Sequence, residues 1–245
     1  MKANVLLFFD QCGLQNNRNS VRSQICSIRV VSPGTQRLCF HFPPDACYQQ
    51  RKSDTGCSYE LGVNPYWTKD NETAQRIKQL ALNARSETIF ERPMFRQSIL
   101  SKRCLVVVDG FFEWRHLNNQ SYPYYIRLTN HQPFALAGIW DKWQNHDTGI
   151  ESRTFSVITT EANPLMAQIH NTKKRMPAIL PMDNEKKWIG NNLKKTDIES
   201  LLKPYNDGEM EAYPVDRSIS KLGFNTSDPN VLIKKEYKDL PELIC

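Results

Sequence analysis

The chain has 245 residues, 40% hydrophobic and 24% charged, with 32 Lys plus Arg against 26 Asp plus Glu. That length supports one substantial core, so a single domain over 1–245 is expected, and the net charge of +6 favours an anionic partner such as nucleic acid. No apolar run approaches the length of a membrane span, and the apolar run in "MKANVLLFFD" is short for a secretion signal, so no membrane partner and an intracellular location are expected, cytoplasmic or, in a bacterium, nucleoid-associated.

Cysteines stand at 12, 26, 39, 47, 57, 104 and 245 with no CxxC pair, which fits a reduced compartment better than a disulfide framework or a zinc ribbon. No metal site and no cofactor are expected, because HExxH, a close Cys/His cluster and a glycine-rich phosphate loop are all missing.

Up to residue 60, the apolar pieces "VLLFF", "ICSIRVV" and "RLCFHF" read either as three strands between polar turns or as a poorly ordered region. "NETAQRIKQLAL" predicts a short helix, and Pro93 can open another through "MFRQSILSKR". "CLVVVDG", "FFEW", "YPYYIRL" and "FALAGIW" follow as strands. "TFSVITTEANPLMAQIH" changes period halfway: a β-branched strand gives way at Asn163, a helix cap, and Pro164, a first-turn residue, with Leu165, Met166 and Ile169 facing inward. "MPAILP" reads as a strand, "NEKKWIGNNL" and "TDIESLLKPY" as helices, "EMEAYPV" as a strand. The expected fold is α+β: one β-rich domain with a largely antiparallel or mixed curved sheet and peripheral helices.

Glu113 sits in the aromatic run "DGFFEW". It is either the wet member of an alternating strand or an acid in a poorly hydrated pocket, where its pKa would rise. His170, at an element boundary before "NTKKRMP", either caps a helix or acts as an acid-base imidazole. In "LNARSET", Asn83 and Arg85 share one side if extended; the pattern suits phosphate recognition or a turn with an Arg85 to Glu87 surface pair. Arg92, Arg96 and Arg103, with Lys173, Lys174 and Arg175, could line a groove along a nucleic-acid backbone, or be scattered solvated charges. Trp67, Trp114, Trp140 and Trp143 could include a base-stacking platform, with at least two expected in the core.

Taken together, "NARSET", "FR" at 95–96, "RCLVVVDGFFEW", "AGIW", "FSVITTEAN" and "IHNTKKRMPAIL" resemble the SOS-response-associated peptidase (SRAP) family, whose members shield abasic sites in single-stranded DNA by a DNA-protein crosslink. The resemblance covers about 61–215, with 1–60 matching poorly and 216–245 read as a carboxy-terminal extension. It implies a monomer whose basic cleft holds abasic single-stranded DNA. The family's Asn, Glu and His fall on Asn83, Glu113 and His170, its phosphate-contacting Arg on Arg85, and further DNA contacts on Arg96, Trp67 and Arg175. It also implies an amino-terminal Cys whose α-amine and thiol close a thiazolidine on the sugar aldehyde. Here position 2 is Lys2; Cys12, followed by Gly13, could take that role if processing exposed it. A non-covalent single-strand binder and a cysteine-dependent autoprocessing peptidase are the alternatives.

Overall fold

The computed structural model of the protein describes residues 59–220 and 229–244, together with the backbone of three upstream strands. Those strands, β1 (Leu6–Phe8), β2 (Cys26–Val30) and β3 (Gln36–His41), coincide with the three apolar pieces read from the sequence. Cys12 and Lys2 lie outside the described residues.

Two sheets carry the fold. The smaller is antiparallel throughout, in the order β1, β7 (Gly110–Leu117), β8 (Gln120–Leu128), β13 (Met210–Pro214). Its β7–β8 hairpin turns at Asn118 and Asn119, with φ of 50° and 60°, the left-handed values a tight two-residue hairpin loop demands and Asn tolerates. At the start of β7, a Cβ on Gly110 would collide with the Tyr125 ring across the pair, so close approach calls for the glycine before the aromatic run.

The larger sheet is mixed. Its path runs β11 (Arg175–Pro177), β10 (Glu151–Glu161), β9 (Phe134–Gln144), β6 (Arg103–Val108), β3, β2. On the other edge of β10, β4 (Tyr59–Leu61) and β5 (Asn83–Arg85) pair in parallel. β9 and β10 diverge beyond the pair Val157–Gly138, and the "MPAIL" segment wedges into the gap: β11 pairs with β10, β12 (Ile179–Leu180) pairs with β9. Between them Ala178 donates to Ile158 O and accepts from Ala137 N, each at 2.8 Å, so the wedge leaves neither polar group of its central residue unpaired.

The helices are peripheral: α1 (Asn71–Leu80), α2 (Ser98–Ser101), α3 (Pro164–Ile169), α4 (Met182–Trp188) and α5 (Lys195–Leu201). α1 begins at Asp70, whose side chain accepts from Thr73 N at 2.7 Å. α2 is far shorter than the helix read from Pro93 onward, since residues 91–97 form turns before it. One buried cluster, with Phe111, Tyr122, Phe155, Met166 and Ile169, includes strands from both sheets and α3; a second, with Ile77, Ile99, Leu105, Ile158 and Trp188, joins the larger sheet to the helices. Of the four tryptophans weighed for base stacking, only Trp143 is fully in the core; Trp114 and Trp140 are partly buried and Trp67 is exposed, while Trp188 is a further core residue.

Candidate active site

Glu113 comes from the smaller sheet, where β7 runs from fully buried Phe111 and Phe112 into a half-exposed end. It is 3% exposed. Burial raises its pKa to about 7, partly opposed by the Trp114 N–H that donates to Oε1 at 3.0 Å and by the charge of Lys173. The acid-in-a-pocket reading therefore holds over the wet-strand reading.

His170 follows α3, which the local sequence starts as expected: Asn163 Oδ1 accepts from Met166 N at 2.8 Å and Pro164 is in the first turn. With Met166 and Ile169 fully buried, the residue after Ile169 is carried against β7. Its Nδ1 meets Arg175 O at 3.0 Å, and since a carbonyl only accepts, the proton is on Nδ1 and Nε2 is left for a ligand. Nδ1 is also 3.6 Å from Glu113 Oε2, a neighbour too long for a hydrogen bond. Burial is the first cause that lowers the His170 pKa, with Lys173 and Arg175 acting in the same direction against the Arg175 carbonyl. A carboxyl that changes charge near pH 7 thus lies beside an imidazole whose protonated form is disfavoured.

Asn83 and Arg85 are on β5 with buried Ala84 between them, so the alternation of an extended segment puts both on the cavity side. Glu113, His170, Asn83 and Arg85 line one cavity of about 270 Å³, whose remaining walls include Gln79, Leu80, Leu82, Thr159 and the β11 residues. It opens between the two sheets, where the acid of one meets the amide, cation and imidazole of the other side.

Other expected contacts are placed differently. Trp67 and Arg96 are exposed but do not line this cavity. The loop of Trp67 is held by buried Asp141, which accepts from Tyr66 N at 3.3 Å and from Lys102. Arg175 lines the cavity, yet its guanidinium is engaged: Nη1 and Nη2 donate to the two Glu87 oxygens at 2.5 and 2.9 Å, and Nη2 to Thr159 O at 2.7 Å. Glu87 thus pairs with Arg175, not with Arg85 as read locally. For Arg103, though not for Lys173 and Arg175, the groove reading is overturned. Arg103 is 3% exposed, and it donates to the carbonyls of Trp188 (2.8 Å), Ile99 (2.7 Å), Leu100 (2.8 Å) and Gly190 (2.6 Å), closing the ends of α2 and α4. Sequence reasoning missed Thr159 and Gln79; no local pattern marks them, because they reach the cavity through strand register and a helix end.

Among the described residues no group of three or more His, Cys, Asp or Glu is arranged to hold a metal ion, and no helix is long and apolar enough to cross a membrane. Cys104 is fully buried, which pushes its thiol well above the usual range.

Comparison with known proteins gives consistent results. The chain is 38% identical over 169 residues to the abasic site processing protein YoaM of Bacillus subtilis, covering 68% of this chain and 71% of that one. It is 40% identical over 171 residues to YoqW of the same organism, covering 68% and 72%. An X-ray structure of a protein from Bacteroides thetaiotaomicron superposes with a TM-score of 0.70 at 42% identity, over 76% of this chain and 79% of that one. The family model for the SOS response associated peptidase (SRAP) matches residues 16–222, a span that contains the cavity and both sheets' central strands, and the chain belongs to that family.

Proposed function

We propose that the protein recognises abasic sites in single-stranded DNA and joins itself covalently to the ring-opened sugar. The observation that carries this reading is the convergence of Asn83, Glu113 and His170 on one cavity with Arg85 at its wall. The relatives named as abasic site processing proteins support the substrate class.

The chemistry asks for these groups. An amine of the protein adds to the C1′ aldehyde, and loss of water leaves an imine; where a thiol on the same residue follows, its sulfur adds across the C=N bond and its proton passes to the nitrogen, closing a thiazolidine. Addition needs a base for the departing amine proton and dehydration needs an acid for the departing hydroxyl. One carboxyl with a pKa of about 7 can serve both turns. His170 Nε2 takes the sugar hydroxyl proton or accepts its hydrogen bond, Asn83 orients the sugar without adding charge, and Arg85 takes a flanking phosphate. Backbone pairing sets Leu6 of β1 opposite Phe112, one residue from Glu113, so the amino-terminal strand runs beside the acid. With β1 in place, Lys2 would offer an imine alone; Cys12 would offer the amine and thiol together only once residues 1–11, and β1 with them, were removed.

Intact-protein mass spectrometry before and after incubation with a single-stranded oligonucleotide containing an abasic site tests this. The expected result is a mass increase equal to the oligonucleotide less one water. An adduct that survives heating without reduction identifies the thiazolidine, and one trapped only by borohydride identifies the imine. Tight single-strand binding without any adduct would overturn the covalent step and leave a non-covalent binder.

A further inference from the structure

Between His170 and Arg175 the chain makes a short loop that is held at both ends and in the middle. Lys174 N donates to His170 O at 2.8 Å, and Ala162 N donates to Lys174 O at 3.0 Å. Asn171 acts as a surrogate strand residue on β7: its Oδ1 accepts from His116 N at 3.1 Å and its Nδ2 donates to His116 O at 2.7 Å, beyond the stretch of β7 that β1 covers. Lys174 adopts φ of 49°, which turns the chain back towards β11. The consequence is that Lys173, an exposed residue on a pinned loop, forms part of the cavity wall.

The charges around Glu113 can be compared wall by wall. On β11, Arg175 is matched by the bidentate carboxylate of Glu87. On β5, Arg85 lines the cavity and forms no ion pair within 4 Å among the described residues. From α3, His170 is held towards neutrality. Lys173, on the loop, likewise forms no ion pair there, and its charge acts on both Glu113 and His170. The cavity therefore presents two cations without an ion-pair partner among the described residues, whereas the Arg175 guanidinium is paired with Glu87 and keeps only its buried Nε without a partner.

We propose that Lys173 is the second phosphate-binding residue of this cavity, acting with Arg85 on the strand whose sugar enters it, and that Arg175 is a positioning residue that fixes β11. This rests on the reading of the cavity as an abasic-sugar site. A phosphate held by Lys173 would lie on the His170 side of the sugar, and one held by Arg85 on the Asn83 side, so the sugar would be fixed between the imidazole and the amide that contact it, with its aldehyde presented to Glu113.

The test uses the full chain and a fluorescent single-stranded oligonucleotide carrying a tetrahydrofuran abasic analogue, which lacks the aldehyde and reports binding alone. Lys173→Gln should flatten the plot of log affinity against log salt by about 0.7, the contribution of one single-strand phosphate contact, and Lys173→Arg should restore it. Lys174→Gln, one residue away and not on the cavity wall, should leave the slope unchanged. In the crosslinking reaction, Lys173→Gln should move the Glu113 inflection to higher pH, because a cation facing the carboxylate has been removed. If the wild type binds the analogue and the two Gln variants show the same slope, the inference about Lys173 is overturned while the site reading stands. If the wild type does not bind the analogue, the site reading fails and the inference with it.

Discussion

At Glu113 the balance between stability and function can be read in one side chain. An acid whose pKa is about 7 when folded and near 4.5 when unfolded binds more protons in the native state between those values, so its burial costs stability as pH rises through that window. The cost, complete above pH 7, is roughly 3 kcal/mol. Glu113→Gln keeps the shape and an acceptor for the Trp114 N–H but has no proton to lose. Thermal unfolding of that variant should match the wild type near pH 4 and exceed it at pH 8, while adduct formation is lost. A variant less stable at pH 8 would show that the carboxylate is held by interactions its burial does not reveal. Arg103 shows the opposite allocation. Four of its five N–H groups serve internal carbonyls, so Arg103→Ala should lower stability by roughly 3 kcal/mol or more in urea unfolding, with Arg103→Lys recovering little because an ammonium lacks the planar fork. The salt dependence of single-strand binding should not change in the folded Lys variant.

The carboxy-terminal segment braces the site from outside it. Tyr237, Leu240 and Leu243 pack against the cluster that contains α3 and strands of both sheets. Arg217 sits against both Tyr122 and Tyr237, 4.2 and 4.9 Å from their ring centres, while the two rings meet edge to face at 5.2 Å, and the Tyr237 hydroxyl donates to Val215 O at 2.8 Å. Near the chain end, Ile244 and Gln168 exchange two hydrogen bonds of 2.8 Å, one in each direction, and Gln168 is on α3, two residues before His170. Tyr237→Ala removes one of the two rings that Arg217 packs on, together with its edge contact to Tyr122, and loosens this strap. We expect a loss of roughly 2 kcal/mol and faster amide exchange in α3, measured by hydrogen exchange with mass spectrometry. Unchanged α3 protection would separate the strap from the imidazole.

Across the molecule, the strands, most of the peripheral helices and their succession along the chain follow from local patterning, because β-branched runs, the Asn163–Pro164 start and the hairpin Asn pair each impose their conformation over a few residues. The side on which Asn83 and Arg85 fall follows from strand alternation, and the acid in "DGFFEW" was a candidate from its neighbours alone. What local patterning does not carry is partner choice. Glu87 is two residues from Arg85 and bonds Arg175, 88 positions away; Arg103 looks like a surface cation and is a buried brace; Thr159 reaches the cavity only through its register with Arg85 and Pro177. The residue types of the candidate site and the elements that carry them were thus determined by the sequence by itself. Only the tertiary structure decided that the acid of one sheet faces the imidazole and amide of the other side, and which cations are left without a carboxylate, since both depend on pairings between segments distant along the chain.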